Sequence, residues 1–376
     1  MQQRPTKHFT PKNNWINDPN GLIFHNGYYH LFFQHNPFEN KWGHMSWGHA
    51  RSRDLINWEE LPVAIPEQAD HMIFSGSAVF DQVNNRLAAI YTGAAKGNQS
   101  QYVAFSYDFG NTFVENQKVL DLILEEFRDP KVFRYENHWI MTVVKSTQHL
   151  VSFYESENLI DWNFLSDYQV SGIDELYECP DLFQIDGKWI LILSTNPGGP
   201  AGGSGMHYVI GNFDGKVFKD ESKVKFLDYG PDYYAGVTFN GAAERISIAW
   251  MNNWEYANKL KRETWNGSMT AARKLQIQNG DLVQTFIGET TKFEITESNF
   301  EFKYTNGSLK FRTENGALIV DRSELWDSSI TQYLLPVTAP YKVEALFDAG
   351  SIELSINGQF ASAQLLVDGE TPILSV

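Results

Sequence analysis

The sequence predicts an all-β protein, with a five-bladed β-propeller over residues 1–280 and a short C-terminal β-sandwich over residues 281–376. Three observations predict this fold. A unit of two short strands joined by a turn recurs five times, sustained 3.6-residue periodicity is almost absent, and a more regular alternation of apolar and polar residues begins after about residue 280. The length of 376 residues also agrees with two domains.

The five repeated units begin at positions that we take as equivalent: Asp18, Ser75, Asp129, Glu178 and Tyr233. Successive starting positions are 57, 54, 49 and 55 residues apart. Each unit continues into a strand rich in aromatic and branched residues, and the units cover residues 17–33, 75–91, 128–144, 178–193 and 234–250. A period of about 50 residues with several strands per unit is typical of a propeller blade. A parallel β-helix would repeat at shorter intervals, and a βαβ protein would place helices between the strands.

Two heptapeptides that nearly repeat each other predict outer strands of the blades. They are SRDLINW at residues 52–58 and SENLIDW at residues 156–162. The C-terminal part alternates more strictly, as in residues 308–312, 341–347 and 351–356, and Asn357-Gly358 predicts a two-residue hairpin turn. Such alternation is typical of antiparallel sheets that are covered on one face, as in a sandwich.

The composition excludes several classes of protein. Hydrophobic residues make up 42% and aromatic residues 14% of the chain, which is too apolar for a disordered protein. The net charge of -16 disfavours nucleic acid and anionic membranes as partners, and it suits a neutral ligand. The chain has one cysteine, no run of about 18 apolar residues, and no apolar signal-peptide core in residues 1–15. We therefore expect a cytoplasmic protein, or a secreted one whose signal peptide has been removed; the oligomeric state cannot be derived.

Three of the five starting positions are carboxylates, and they are Asp18, Asp129 and Glu178. Because equivalent positions on the innermost strands of a propeller face one axial funnel, these side chains are expected to converge in one pocket. Glycoside hydrolysis requires two carboxyl groups on either side of the scissile bond. Each acid alone could instead mark a turn, since Asp-Pro and Asn-Gly are common turn sequences. Turns, however, do not require acids at three equivalent positions.

Aromatic and amide side chains near these positions are suited to a sugar, because rings stack on its apolar faces and amides bond to its hydroxyls. The candidates for substrate binding are Asn17, Gln34, Trp42, Phe74, Ser75, Arg128, Tyr233 and Trp265. No metal or cofactor is expected. The histidines show no metal-binding spacing, and the glycine-rich segment 197–205 lacks the Gly-Lys-Ser/Thr of a phosphate loop. Cys179 is expected to be a packing residue rather than a nucleophile.

Three motifs resemble those of family-32 glycoside hydrolases, the invertases, exo-inulinases, levanases and related β-fructosidases. Residues 15–21 (WINDPNG) are similar to the nucleophile motif, residues 127–130 (FRDP) to the transition-state-stabiliser motif, and residues 178–181 (ECPD) to the acid/base motif. The resemblance covers nearly the whole chain and implies a five-bladed propeller followed by a sandwich. It also implies that Asp18 is the nucleophile, Asp129 the stabiliser and Glu178 the general acid/base.

By the same resemblance, Asn17, Gln34, Trp42, Phe74, Ser75, Arg128 and Trp265 line the fructose subsite. The implied activity is retaining, exo-acting hydrolysis of terminal β-fructofuranosyl residues from sucrose, fructo-oligosaccharides, inulin or levan, with a fructoside as the only expected partner. A fructosyltransferase and a sucrose-6-phosphate hydrolase would use the same carboxylates, and Lys259, Lys261 and Arg262 are the candidates for holding a phosphate. A non-catalytic sugar-binding propeller is the third alternative.

Overall fold

The computed structural model describes residues 3–376, and this part of the chain is all-β. It contains no α-helix, and its only helical segments are the 3₁₀ turns Ser146–Gln148 and Ala257–Lys259. The strands of residues 3–376 form seven sheets.

The first five sheets follow one another along the chain. The first sheet contains β1 (Asn14–His25), β2 (Tyr28–Asn36), β3 (Ser46–Ser52) and β4 (Trp58–Ile65), and the second contains β5 (Met72–Asp81), β6 (Arg86–Ala95), β7 (Asn98–Ser106) and β8 (Val114–Leu124). The third contains β9 (Phe127–Tyr135), β10 (His138–Lys145), β11 (Leu150–Ser156) and β12 (Asn163–Tyr168), and the fourth contains β13 (Leu176–Ile185), β14 (Lys188–Asn196), β15 (Gly205–Phe213), β16 (Phe218–Asp220) and β17 (Lys225–Phe226). The fifth contains β18 (Tyr234–Thr238), β19 (Ile246–Trp250), β21 (Arg273–Gln278) and β22 (Asp281–Phe286), and the short strand β20 (Trp265–Asn266) lies between β19 and β21 in the chain. Strands that pair within these sheets run antiparallel, except that β20 joins the first sheet and pairs parallel with β1. In the fourth sheet β17 pairs with β15, and in the fifth β19 pairs with β21.

Burial decreases from the first strands of these sheets to the last. The strands β2, β6 and β10 are almost fully buried, and they are nearly continuous runs of apolar residues because neighbouring sheets cover both of their faces. By contrast, β8 is mostly exposed and rich in polar residues. Hairpins such as that between β1 and β2 turn at Asn26-Gly27, where both residues have positive φ, as a type I′ turn requires.

The first strand of each of the five sheets, here called an inner strand, contacts the next inner strand in a closed cycle. The order of contact is β1, β5, β9, β13, β18 and again β1. All three predicted catalytic acids lie on inner strands, and Tyr233 directly precedes one. The cycle therefore brings the starting positions of all five repeats to one end of a common axis.

Every inner strand carries one extra residue at the same place in its pairing register. On β1, Ile16 lies opposite His35 but Pro19 opposite Phe33, and on β13, Glu178 lies opposite Ser194 but Asp181 opposite Ile192. The unpaired bulge residues are 17–18, 74–75, 129–130, 179–180 and 235–236. This register corrects the predicted equivalence of the five starting positions: Glu178 precedes its bulge, Asp129 is the first residue of its bulge, and Asp18 is the second.

The prediction of outer strands at the two heptapeptides was wrong. Residues 52–58 and 156–162 are the turns that connect β3 to β4 and β11 to β12. In the first turn, Leu55 has a φ of 67° and its N–H donates to Ser52 Oγ at 2.9 Å, and Leu159 with a φ of 69° repeats this arrangement. The two sequences resemble each other because they form the same turn with side-chain hydrogen bonds, which alternation alone does not reveal.

The last two sheets contain β23 (Thr291–Ile295), β24 (Asn299–Tyr304), β25 (Gly307–Glu314), β26 (Ala317–Asp321), β27 (Gln332–Leu335), β28 (Tyr341–Asp348), β29 (Ser351–Ile356), β30 (Gln359–Gln364) and β31 (Ile373–Ser375). Their strand orders are β23-β28-β29-β30 and β27-β26-β25-β24-β31. Both contribute to one hydrophobic core, in which the rings of Phe300 and Phe311 stack 4.3 Å apart. The predicted hairpin at Asn357-Gly358 is confirmed, since it joins β29 to β30 with positive φ at both residues.

Buried ion pairs connect these two sheets to the first five. Arg273 pairs with Asp228 at 2.9 Å and with Glu353 at 2.5 Å, and Arg322 pairs with Asp232 at 2.9 Å. All five of these side chains are almost inaccessible to solvent. Residues 3–376 include no helix long and apolar enough to cross a membrane.

Candidate active site

A cavity of about 350 Å³ lies where the bulges of the inner strands meet. Nine of the eleven predicted site residues line it. The complete lining is Asn17, Asp18, Gln34, Trp42, Phe74, Ser75, Gln99, Glu126, Arg128, Asp129, Glu178 and Trp254. The three predicted catalytic acids therefore share one small cavity, although 160 residues of chain separate Asp18 from Glu178.

Asp18 is held at both carboxylate oxygens. Ser75 donates to Oδ2 at 2.6 Å, and Asn17 donates to Oδ1 at 3.0 Å. Asn17 is itself oriented by the indole of Trp15, whose Nε1 donates to Asn17 Oδ1 at 2.7 Å. Burial and the charge of Glu178 raise the pKa of Asp18, and the two donors oppose this rise. The carboxylate is thus fixed in orientation and poorly solvated, as a nucleophile in a closed site would be.

Asp129 has left-handed backbone geometry, with a φ of 63°. This conformation is costly for a residue other than glycine, and it re-aims the side chain at the bulge. The N–H of Cys179 donates to Asp129 Oδ2 at 2.9 Å. Burial, assisted by the charges of Glu178 and Asp18 and opposed by Arg128, raises the pKa of Asp129 to about 7.

Glu178 accepts hydrogen bonds at both oxygens. Arg128 donates to Oε1 from Nη2 at 3.0 Å and from Nε at 3.2 Å. The buried hydroxyl of Tyr234 donates to Oε2. Burial and the nearby charge of Glu178 raise the pKa of Tyr234 well above its usual value, so this phenol remains a proton donor at neutral pH.

Arg128 connects several polar groups of the cavity. Besides Glu178, it pairs with Glu126 and donates to Gln99 Oε1 at 3.3 Å. Among the described residues that line the cavity, Arg128 is the only lysine or arginine, and four are carboxylates. The cavity therefore has excess negative charge, which favours a neutral or cationic group over an anion.

Cys179 lies between two of the acids. Its Sγ is 3.6 Å from Asp18 Oδ2 and 3.6 Å from Asp129 Oδ2. Burial and the three neighbouring carboxylates raise the pKa of this thiol well above its usual value. The thiol stays protonated and fills space between the carboxylates, in agreement with the predicted packing role.

Aromatic rings form the walls of the cavity. Trp42 is 41% exposed and lies edge-on to Phe74, with centroids 6.0 Å apart. Trp254 is half-buried and stacks on Trp15 at 6.0 Å. Gln34 donates to Ile73 O at 3.0 Å, which fixes its amide at the edge of the site. Flat rings with fixed amides are the combination that sugar binding requires.

The structure does not place Tyr233 or Trp265 in this cavity. Tyr233 is buried against Arg273, whose guanidinium lies 4.3 Å from its ring centroid. Trp265 lies beneath Arg4, at 4.0 Å, in a different cavity. Neighbouring residues of a strand face opposite sides, so the tyrosine at the start of β18 that reaches the cavity is Tyr234 rather than Tyr233.

Four residues at or beside the cavity were not predicted from the sequence, and they are Gln99, Glu126, Trp254 and Tyr234. Tyr234 directly follows the predicted Tyr233, and a register that included the bulge would have found it. Glu126 lies two residues before the predicted Arg128 and outside the inner strand β9. Gln99 lies on β7 and Trp254 in the segment between β19 and β20, where the repeat gives no signal. Residues 3–376 contain no group of three or more His, Cys, Asp or Glu side chains that could hold a metal ion.

Comparison with known proteins identifies relatives along most of the chain. Residues 8–285 match the model of the glycosyl hydrolases family 32 N-terminal domain. A levanase of Bacillus subtilis is 35% identical over 93% of this chain and 64% of its own length, and an invertase of Debaryomyces hansenii is 41% identical over 72% of this chain and 56% of its own length. An extracellular exo-inulinase of Meyerozyma guilliermondii is 38% identical over 74% of this chain. The chain spans 60% of that exo-inulinase, and thus less than two thirds of each of these relatives.

Solved structures of similar proteins match nearly the whole chain. The exo-inulinase of Aspergillus awamori superposes with a TM-score of 0.89 at 28% identity, over 100% of this chain and 95% of that one. A β-fructofuranosidase of Schwanniomyces occidentalis in complex with fructosyl-erythritol gives a TM-score of 0.83 at 27% identity, over 99% of this chain and 96% of that one.

Proposed function

The chain belongs to glycoside hydrolase family 32, and from this premise we propose that it is a retaining, exo-acting β-fructosidase that hydrolyses terminal β-D-fructofuranosyl bonds. The observation that carries this proposal is the convergence of Asp18, Asp129 and Glu178 in one cavity of about 350 Å³. The relatives named levanase, invertase and exo-inulinase support the same reaction class.

The fold that we infer for this function is a five-bladed propeller followed by a sandwich. The predicted boundary at residues 280 and 281 is wrong, because β22 (Asp281–Phe286) pairs with β21 in the fifth sheet, so the boundary lies after β22. The closed cycle of inner strands supports the five blades. The separate hydrophobic core of the last two sheets supports the second domain. The extracellular name of one relative supports a secreted protein over a cytoplasmic one.

In the proposed first step, Asp18 attacks the anomeric carbon and Glu178 transfers a proton to the leaving oxygen, so that a fructosyl-enzyme ester forms. In the second step, water attacks the anomeric carbon, its proton goes to Glu178, and the Asp18 carboxylate departs. Asp129, with its raised pKa, holds the hydroxyls of the fructosyl ring. Retention requires the carboxyl groups of Asp18 and Glu178 to lie about 5–5.5 Å apart, and their position in one cavity of about 350 Å³ supports this arrangement.

The structure offers observations against two alternatives. A phosphate on the leaving group would need free cations, but the only arginine in the cavity is engaged by Glu126 and Glu178, and Lys261 and Arg262 line another cavity. A non-catalytic sugar-binding protein would have no use for partly and fully buried acids with raised pKa values, which destabilise the fold. A fructosyltransferase differs only in how the acceptor competes with water.

Product analysis tests the proposal. The protein is incubated with sucrose, sucrose-6-phosphate, inulin, levan and a short fructo-oligosaccharide, with Asp18→Asn as the inactive control. We expect free fructose as the sole early product from the oligosaccharide and the polymers. A ladder of oligosaccharides would indicate endo-cleavage, longer oligosaccharides would indicate transfer, and activity on sucrose-6-phosphate alone would refute the assigned substrate class.

A further inference from the structure

Two adjoining cavities lie at the opposite end of the inner strands. Their volumes are about 990 and 710 Å³, compared with about 350 Å³ for the catalytic cavity. Both are lined by Phe133, Arg134, Asn240 and Gly241, so they meet and form one continuous depression, here called the far-end cleft.

The far-end cleft is separate from the catalytic cavity. Along β9, five residues separate Asp129 in the catalytic cavity from Arg134 in the cleft, a distance of about 17 Å. Between them, Lys131 pairs with Asp181 at 3.0 Å across the axis. Asn240 also closes the axis, because its amide donates to the carbonyl oxygens of two inner strands at 2.8 and 3.0 Å. A ligand in the cleft therefore cannot be part of the fructosyl group that reacts.

The lining of the cleft combines flat rings with unoccupied amides. The half-buried rings are those of Phe24, Phe80 and Phe133, and the ring of His25 lies tilted against Phe80 with centroids 4.5 Å apart. Within residues 3–376, no protein group hydrogen-bonds to five exposed amide side chains of the lining, which are Gln82, Asn137, Asn163, Gln184 and Asn212. An amide both donates and accepts, as a sugar hydroxyl does, and an apolar ring offers a surface for a sugar ring.

Two buried polar atoms of the lining have no hydrogen-bond partner in the described chain. One is His138 Nε2, which lies 4.0 Å from the nearest carboxylate oxygen of Glu155. The other is Asp181 Oδ1, although Oδ2 of the same group accepts from the N–H of Thr238 at 2.7 Å. Near Asp181, the half-buried guanidinium of Arg245 donates to Thr238 Oγ1 at 3.4 Å. Asp181 Oδ1 is itself inaccessible to solvent, whereas the guanidinium of Arg245 lines the cleft, so a ligand hydroxyl that accepts from Arg245 suits this position.

The charges of the cleft are mixed. Arg134 and Arg245 are interspersed with Asp81, Glu155 and Glu157. With Glu136 and Asp181, five carboxylates face two arginines, so the cleft does not attract a polyanion or an anionic membrane surface. A neutral, hydroxyl-rich ligand fits this lining.

We propose that the far-end cleft is a second, non-catalytic saccharide site that holds an internal stretch of a fructan chain. The identity of the saccharide rests on the proposed function, whereas the chemical class rests on the lining. Binding at this site keeps the polymer at the protein surface and raises the local concentration of chain ends near the catalytic cavity. The hydrolysis of a short substrate such as sucrose does not depend on this second site.

The test separates polymer binding from catalysis. The variants are the triple substitution Gln82→Ala/Asn137→Ala/Asn163→Ala, the single substitution Phe80→Ala, and Gln117→Ala as a matched control, since Gln117 is an exposed amide on β8 outside the cleft. Each is also made in the Asp18→Asn background, and its retardation is measured in native gels that contain levan or inulin. We expect binding to the polymer to weaken about tenfold in the triple variant. On sucrose, kcat/KM stays within about twofold of wild type, and on levan the apparent KM rises.

Four outcomes are decisive. Equal retardation of the triple, Phe80→Ala and control variants would overturn the second site. The second site would also be overturned if added fructose, which fills the catalytic cavity, abolished polymer binding while the substitutions in the cleft did not. A protein that hydrolyses sucrose but neither binds nor degrades levan or inulin would overturn the second site and leave the hydrolase proposal standing. A protein that hydrolyses no fructoside, but whose triple variant still loses levan binding, would support the second site and refute the hydrolase proposal.

Discussion

Substitution of His8 is predicted to change how the stability of the protein depends on pH. His8 Nδ1 lies 2.9 Å from Asp348 Oδ2, and Nε2 lies 2.9 Å from Glu353 Oε1, with all three side chains buried. Burial disfavours the charged imidazole, but the two carboxylates outweigh it and raise the pKa of His8 to about 9. Glu353 also pairs with Arg273, so this cluster connects the N-terminal segment, the fifth sheet and the last two sheets.

The sign of the effect follows from the direction of the pKa change. Because the pKa of His8 is about 9 in the folded protein and about 6.5 in the unfolded chain, its contribution is complete below pH 6.5 and is lost as the pH rises through 9. At about 1.4 kcal/mol for each pH unit, the loss is about 3 kcal/mol. The carboxylates behave in the opposite way: burial opposes ionisation, but Arg273 and His8 lower the pKa of Glu353 to about 2. Its contribution is therefore lost only in acid, as the pH falls from about 4.5 through 2.

Thermal unfolding of the wild type, His8→Gln and His44→Gln at pH 5.5, 7.5 and 9.5 measures this contribution. His44 is an exposed histidine that also pairs with a carboxylate, which makes it a matched control. Relative to wild type, His8→Gln is expected to lower Tm by about 3–6 °C at pH 5.5 and by much less at pH 9.5. The wild type and His44→Gln should show parallel curves. If the curves of His8→Gln and wild type are also parallel, the buried imidazole is not charged and this reasoning is refuted.

Three further predictions concern the candidate active site. Glu178→Ala should lower kcat/KM on sucrose about 10²–10⁴-fold but have much less effect on a fructoside with an activated leaving group, since such a group departs without a proton; equal losses on both substrates would exclude Glu178 as the acid. Tyr234→Phe removes the phenol that donates to Glu178 and should lower kcat about tenfold with KM within about twofold, whereas a raised KM with unchanged kcat would assign Tyr234 to substrate binding. Asp129→Asn should abolish activity yet stabilise the protein at pH 8 by about 1–2 kcal/mol, because burial, with the charges of Glu178 and Asp18, raises the pKa of Asp129 to about 7 and makes its ionised form costly above that pH. Urea unfolding checks this against Asp161→Asn, an exposed control, and an unchanged or lower stability of Asp129→Asn would contradict it.

Much of the fold and of the site could be predicted because both depend on local patterns in the sequence. Alternation and turn residues indicate strands, and a period of about 50 residues groups them into five units. The three acids lie at the beginnings of those units, so their convergence follows from the repeat. Nine of eleven predicted site residues reach the cavity for this reason.

What could not be predicted depends on single-residue register and on segments between the repeats. A bulge adds one residue to a strand without changing its apolar pattern, so the sequence favoured Tyr233 where the structure directs Tyr234 to the cavity. Trp265 looked available for a ligand because of its polar neighbours, but Arg4, from the distant N-terminal segment, covers its ring. Trp254 lines the cavity from the segment between β19 and β20, which has no counterpart in the other repeats.

The stagger of the three acids around their bulges bears directly on the order of events in the proposed reaction. Inner strands run from the catalytic cavity towards the far-end cleft, so a position earlier in the bulge lies nearer the mouth of the cavity. Glu178 precedes its bulge, Asp129 is the first residue of its bulge, and Asp18 is the second. The side chain of Glu178 is 21% exposed and that of Asp129 is 6% exposed, so the proposed proton donor lies nearer to solvent than the proposed stabiliser, and a leaving group protonated there can extend out of the cavity. If the three acids lay at the same depth in the cavity, the scissile bond would also lie at the depth of Asp18. The leaving group would then need room inside the cavity. The earlier position of Glu178 relative to its bulge and its greater exposure thus favour the proposed exo-cleavage, which neither the identity of the acids nor the volume of the cavity does alone.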